Sequence, residues 1–298
     1  MSGYCRPLYD NRLADHFVES ILEIPRTSLE FAKAINRIVS AEIQNEQINR
    51  YSTMYQNNYR HHQYIQDQQR KLLRKEIFTE LISQMRLEDD DHIKLGEGGA
   101  LPRNGVVKTE KKALIIIGLP ASGKSGIATK IAENYGAIIL DSDYAKRKLP
   151  EFDCDFGASL VHDESNEIVF GSNKDSEYNC LDYCISQDFN IVVPKIGHSY
   201  IKILNFVKEL KTFHYECHLI LVSLDRKIAT QRAYNRFLES KRYVPLSLIF
   251  DGYSNEPILT YYRLKFNDNF VSFGKLSSEK YPPKVIEYSS NSPVTCFL

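Results

Sequence analysis

The chain has 298 residues, 43% hydrophobic and 26% charged, which is enough apolar material for a core and leaves room for one large domain or two smaller ones. Its 38 basic and 38 acidic residues cancel to a formal net charge of +0, so no global electrostatic case exists for nucleic acid or an anionic membrane surface as partner. No apolar run approaches bilayer-spanning length and Met1–Asp10 lack the apolar stretch of a secretory signal, so a cytoplasmic protein is expected.

Residues 4–95 contain no glycine, and no proline lies between Pro25 and Pro102. Asn11–Ile24 reads as an amphipathic helix closed by Pro25. Thr27 opens a longer helix, with Glu30 placed to complete a capping box and Leu29, Ala32, Ile35 and Ile38 at helical spacing. Gln44–Gln69 is rich in Gln, Asn, Tyr and His, and Leu72, Leu73, Ile77, Leu81 and Ile82 then restore an apolar stripe. Residues 1–90 are therefore expected to form a hairpin or small bundle of long helices. His61 and His62 are adjacent, point in different directions on a helix, and read as solvated surface. Glu88–Asp91 followed by Gly96, Gly98, Gly99, Pro102 and Gly105 predicts a linker over 91–112.

The pattern changes over 113–290. Ala113–Ile117, Ala137–Leu140, Ile191–Val193, His218–Val222 and Val285–Tyr288 read as short apolar strands. Lys124–Tyr135, Ser159–Phe170, Glu177–Gln187, Tyr200–Leu210 and Arg226–Ser240 read as helices between them, and Ser289–Leu298 as an irregular tail. Buried strands alternating with helices predict an α/β domain, a P-loop kinase-like parallel sheet flanked by helices, preceded by an all-helical N-terminal domain. The six cysteines are scattered without a Cys-x-x-Cys pair; Cys180 and Cys184 share one helical face and read as packing residues.

Gly118-Leu119-Pro120-Ala121-Ser122-Gly123-Lys124-Ser125 satisfies Gly-x-x-x-x-Gly-Lys-[Ser/Thr] in full, after a strand and before a helix. The glycines let successive N–H groups point into one hollow, and the helix beginning at Lys124 aims its positive end there. Lys124 brings a full charge to the β- and γ-phosphates of ATP, and the Ser125 hydroxyl suits the bridging Mg²⁺. The next strand ends in Asp141-Ser142-Asp143. Carboxylates at the end of a parallel strand face the crevice where ligands bind, so Asp141 is assigned to the metal side and Asp143 to the acceptor side as base. The competing reading is an acidic N-cap for the following helix. Arg232 and Arg236 lie four apart on one helical face, with Lys241 and Arg242 close behind, as an arginine-bearing segment that neutralises a transferring phosphoryl group.

In this order the motifs resemble the zeta toxin family, bacterial kinases of toxin–antitoxin systems, from about Ala113 to Leu264. The resemblance rests on the P-loop, on Asp141-Ser142-Asp143 with Lys146 three further on, and on Leu149-Pro150-Glu151-Phe152. It continues through Val161-His162-Asp163-Glu164-Ser165 and ends on Arg236-Phe237 and Arg242-Tyr243-Val244-Pro245. It implies phosphorylation of a UDP-linked amino sugar, UDP-N-acetylglucosamine at its 3′-hydroxyl, with Asp143 as general base, Glu164 as acceptor contact and Arg236 with Arg242 as phosphate clamps. Leu149 stands where the family often has His, and Pro194-Lys195-Ile196-Gly197 replaces its acceptor-contacting Glu-Gly-Thr, which places Lys195 among the acceptor contacts. Another nucleotide-linked acceptor such as NAD is the alternative. A helical antitoxin commonly blocks the nucleotide site in the family, so the N-terminal helices are expected to restrain the kinase in cis, or a separate antitoxin to do so. A P-loop regulatory switch would need no base at Asp143, and a nucleic-acid end kinase would need a basic stripe that is lacking.

Overall fold

The computed structural model describes residues 7–154, 156–171, 178–240 and 242–298. Five parallel strands and one antiparallel edge strand form a sheet: β1 Lys112–Ile117, β2 Ile138–Ile139, β3 Ile191–Lys195, β4 Glu216–Ser223, β5 Ser272–Ser277 and β6 Lys284–Tyr288. Their order is β2-β3-β1-β4-β5-β6, with β6 antiparallel to β5. β1, Ile-rich and buried at five successive positions, lies at the centre between β3 and β4. β5 escaped the sequence reading because its buried positions alternate with partly exposed ones, so its text is not a continuous apolar run.

Helices α1 Asn11–Ser20, α2 Leu29–Ile48 and α3 Asp67–Ser83 precede the sheet. α1 stops at Ser20, four residues before the expected end. α2 is capped by Ser28, whose hydroxyl accepts from the Glu30 amide at 3.1 Å; Glu30 turns outward to Lys33 and Arg37, so no Thr27 capping box forms. Within the sheet domain the helices are α4 Lys124–Tyr135, α5 Ser142–Lys148, α6 Gly157–Leu160, α7 His162–Phe170 and α8 Cys180–Ser186. They continue as α9 Tyr200–Thr212, α10 Arg226–Ser240 and α11 Glu256–Leu264, with a π-helical turn at Leu248–Tyr253. The expected start of α8 at Glu177 lies outside the described residues. Cys180 and Cys184 are buried in α8 as packing residues. The tail forms a short 3₁₀ turn at Pro293–Phe297, with Val294 fully buried. No helix among the described residues is long and apolar enough to cross a membrane.

The three N-terminal helices do not form one bundle. α1 and α2 pair with each other and bury Phe17, Val18, Phe31, Ala34 and Ile38 in a cluster with Leu119 of the P-loop, Tyr234 of α10 and Tyr243. α3 belongs to the other core: Leu73, Ile77 and Leu81 share one cluster with β1 and with Tyr144 of α5. The segment expected as a linker runs as a bonded strap. The Ala100 amide donates to the Leu81 carbonyl at 2.9 Å, the Ala100 carbonyl accepts from Ile139 of β2 at 3.1 Å, and Lys108 exchanges bonds with Gly136 and Asn190 at 2.8 Å each.

A buried ion network joins α3 to the sheet domain. Arg70, fully buried, donates to both carboxylate oxygens of Glu151 (2.8 and 3.0 Å) and to both of Glu164 (2.7 and 2.6 Å). Arg74 adds a 2.7 Å bond and Thr53 a 2.5 Å bond to Glu164, and the His61 amide donates to Glu151 at 2.6 Å. Removing one partner of a buried pair strands the other charges, so Arg70→Ala should lower the free energy of unfolding by about 3–5 kcal/mol. Urea denaturation measures this, and a loss under about 1 kcal/mol, the range of a surface pair, would show that water already reaches the network.

Candidate functional site

The chain leaves β1 at the centre of the sheet and turns at Gly118. The Gly118 amide donates to the Ile196 carbonyl at 3.1 Å, and a Cβ there would lie 2.6 Å from the Val222 carbonyl oxygen, so no side chain fits. Ala121 (φ 58°) and Gly123 (φ 79°) both adopt the left-handed region; for an alanine this costs about 1–3 kcal/mol, strain of the kind stored at ligand-binding loops. Gly123 is the N-cap of α4 and supplies no side-chain cap, which leaves the first amides of α4 directed at the loop's hollow.

Among the described residues, the loop's polar groups have no hydrogen-bonded anionic partner. Among the described residues Lys124 Nζ donates only to the Gly118 and Leu119 carbonyls, at 2.8 and 2.6 Å. Burial pushes this amine down to about 8, against the pull of Asp141, with Arg236 adding to the depression and Asp143 opposing it. Ser122 Oγ is buried without a hydrogen-bond partner among the described residues. Leu119 is buried under α1–α2, Pro120 and Ala121 are half-buried, and Ser125 is exposed in the first turn of α4.

Asp141 and Asp143 follow β2 at the same edge of the sheet. Asp141 is the N-cap of α5, its Oδ1 accepting from the Asp143 amide at 2.9 Å, so the capping and crevice-facing readings hold together. Burial, and then the neighbouring Asp143, push the Asp141 carboxyl up to about 6. Asp143 behaves oppositely. Burial works against its charge, yet Lys146, whose ammonium lies 2.9 Å away, together with Arg147 and Arg236, holds it well below the usual carboxylate range. Two carboxylates two residues apart are thus driven to opposite protonation tendencies.

Arg232, Arg236 and Arg242 take three different positions; Lys241 lies outside the described residues. Arg232 donates to the Ser278 and Glu279 carbonyls, 3.0 Å each, and ties α10 to the turn after β5. Arg236, one turn further on, is exposed; its guanidinium has no direct hydrogen bond or ion pair among the described residues and feels Asp143 and Asp91 electrostatically. Arg242 donates to Asp91 at 2.9 Å and stacks 5.0 Å from the Phe152 ring centre. Lys195 ends β3 with its ammonium 3.4 Å from the Phe170 ring centre, and burial pushes it down to about 8 against the pull of Asp141.

Lys124, Asp141 and Asp143, which follow the carboxyl ends of β1 and β2, thus lie within electrostatic reach of Arg236 in α10, and Lys195 at the end of β3 is in reach of Asp141. Glu164 stands apart. It is fully buried, and Arg70, Arg74 and Thr53 take up both of its oxygens, so it presents no face to an acceptor; Leu149 is likewise core. Sequence reasoning missed Thr53, Arg70, Arg74 and Asp91. The charged partners of their side chains are 56 to 151 residues away along the chain, and no local pattern signals such pairings.

Residues 103–256 match the family model described as Zeta toxin, just over half of the chain. A structure from the PezAT chromosomal toxin–antitoxin system of Streptococcus pneumoniae superposes with a TM-score of 0.50 at 11% identity, over 75% of this chain and 81% of that one. A gluconokinase from Sinorhizobium meliloti 1021 covers 58% of this chain and 86% of its own, at 13% identity and a TM-score of 0.32, too low to bear on the fold. No curated protein matches. With the P-loop, the sheet order and the family match in agreement, the chain belongs to the zeta toxin family and is an ATP-dependent P-loop kinase.

Proposed function

We propose that this kinase transfers the γ-phosphoryl group of ATP to a hydroxyl of a nucleotide-linked acceptor, with the 3′-hydroxyl of UDP-N-acetylglucosamine as the acceptor that family membership implies and blocked cell-wall synthesis as the consequence. The observation that carries the reading is convergence: a half-buried Lys124 hydrogen-bonded among the described residues to carbonyl oxygens alone, an ionised Asp143 paired with Lys146, and an Arg236 whose guanidinium has no direct partner among the described residues lie within electrostatic reach of one another beside open helix amides. Gly118 to Ser125 would cradle the phosphates, with Lys124 against the β- and γ-oxygens. Ser125 and Asp141 fit Mg²⁺: one is an exposed hydroxyl, the other a carboxylate with one oxygen unbonded among the described residues and a raised pKa that a cation would relieve. Bound Mg²⁺ would shield phosphate charge. Asp143 would accept the proton of the attacking hydroxyl, and Arg236 and Arg242 would stabilise charge on the transferring group.

A second acceptor reading has its own support. Glu164 is consumed by Arg70, and Lys195 stands where the family has a carboxylate-bearing stretch, so both acidic contacts of the implied sugar pocket are missing. That favours a different nucleotide-linked acceptor, NAD among them. Incubation with labelled ATP and a panel of nucleotide sugars and dinucleotides decides the matter. Label in UDP-N-acetylglucosamine alone supports the first reading, and label in a dinucleotide alone supports the second.

Lys124→Ala should abolish transfer, since one preorganised electrostatic contact is worth about 3–4 kcal/mol of transition-state stabilisation. Asp143→Ala should cost on the order of 10²–10⁴ in rate while ATP affinity stays near wild type. A mild Asp143→Ala beside a severe Asp141→Ala would exchange the two assigned roles.

The antitoxin-like restraint fits α1–α2 alone. They reach Leu119 and Ala121 of the P-loop through an apolar seam, and Glu42 accepts from Tyr243, next to Arg242, at 2.6 Å. Ile38→Asp places a charge in that seam and should free the hairpin. Faster ATP turnover in a variant of unchanged circular dichroism is expected; unchanged or slower turnover would leave α1–α2 as scaffold.

A further inference from the structure

Asp91 lies before the residues matched by the family model, yet it touches the arginine segment. One oxygen, Oδ1, accepts from Arg242 at 2.9 Å and also from Arg147 of α5. Burial opposes the charge of Asp91, but Arg147 and Arg242 outweigh it and hold the carboxylate below its ordinary value, so it is ionised at neutral pH. Without it, the mutual repulsion of Arg147, Arg236 and Arg242 would be offset by Asp143 and, more weakly, by Asp141.

The arm that carries Asp91 is tied down by hydrogen bonds. The Asp91 amide donates to the Asp89 carboxylate at 2.9 Å, and the Tyr144 hydroxyl donates to Asp90 at 2.5 Å. Just beyond, the Lys94 carbonyl accepts at 2.9 Å from the buried Lys148, whose ammonium also binds Glu80 of α3 at 2.6 Å. A latch that must be displaced by nucleotide would need a hinge. This arm is instead fastened to α3 and α5 at successive residues. Arg242 is gripped on one edge by the carboxylate and on one face by Phe152, which leaves the rest of its fork open among the described residues.

We propose that Asp91 is a positioning residue for phosphoryl transfer: it holds Arg242, against the repulsion of Arg147 and Arg236, in the orientation from which Arg242 meets the transferring group. The inference rests on the kinase reading of the site. It adds that part of the phosphate clamp is set from outside the kinase motifs, by the strap between α3 and β1.

The test uses the full-length protein with Asp91→Asn and Asp91→Glu. Asp91→Asn should lower kcat for ATP turnover on the order of 10²-fold, the effect of a clamp displaced by about an ångström, with KM for ATP little changed. Asp91→Glu should restore much of the loss. The thermal midpoint should move little, because an ion pair with an exposed carboxylate contributes about 0–1 kcal/mol to stability. In the nucleotide-free protein, hydrogen exchange over residues 236–248 should be faster in Asp91→Asn than in wild type. An unchanged kcat with unchanged exchange overturns the proposal, and a raised kcat overturns it in favour of a carboxylate that competes for the clamp. Lys124→Ala is the control for the underlying reading. If that variant turns over ATP like wild type, the kinase assignment of the site fails, while the exchange measurement still decides whether Asp91 orders the arginine segment.

Discussion

Arg70 places a guanidinium where no part of it meets water, and the architecture follows from the need to satisfy it. Burying an unpaired ion costs several kcal/mol even after relaxation. Glu151 and Glu164 answer that charge, and they belong to the short helix after Leu149 and to α7, so α3 cannot leave the sheet domain without stranding two buried carboxylates. The same geometry explains why Glu164, placed by family resemblance at the acceptor, has no oxygen to offer one. Neighbouring Arg74 and Thr53 complete the enclosure, and burial of Glu164 is outweighed by these donors, which hold it in its charged form.

The nucleotide side shows the opposite economy. Lys124 is desolvated and among the described residues hydrogen-bonds only to carbonyls, Ser122 has a buried hydroxyl without a partner among the described residues, Ala121 sits in a strained conformation, and Asp141 is pushed toward protonation. Each is unfavourable in the free protein and each would be relieved by an anion with its cation. A site arranged this way draws its affinity from relief of pre-existing cost, and the rigid sheet beneath it, with β1 buried at the centre, keeps the costly arrangement from collapsing.

Segments outside the family-matched residues shape both ends of the arginine-bearing region. α1–α2 cover α10 and Tyr243 through an apolar seam, and Asp91 on the strap fixes Arg242 through charge. The two contacts differ in kind. An apolar seam can open at the cost of exposed area, whereas a carboxylate bridging two arginines holds orientation. The N-terminal region is accordingly not one unit in physical terms: α3 is part of the core, the strap carries the carboxylate that pairs with Arg242, and α1–α2 form a separate layer.

What the sequence determined by itself was local. The P-loop, the alternation of apolar strands with helices, the bounds of α4 and α10 and the carboxylate pair after β2 were all legible, because each depends on neighbours within a few residues. Periodicity, glycine at the turns and capping chemistry act over that range. The sequence could not show that Gly96 to Gly105 is a bonded strap, that β5 exists beneath an alternating text, that α3 parts company with α2, or that Glu164 is spent. Those outcomes depend on which charge meets which across 81 to 151 residues of chain, as in Arg70 with Glu151 and Asp91 with Arg242. Only the folded arrangement decides them, because the energy of a buried ion is set by what surrounds it in space, and the one-dimensional order of residues carries no record of that distance.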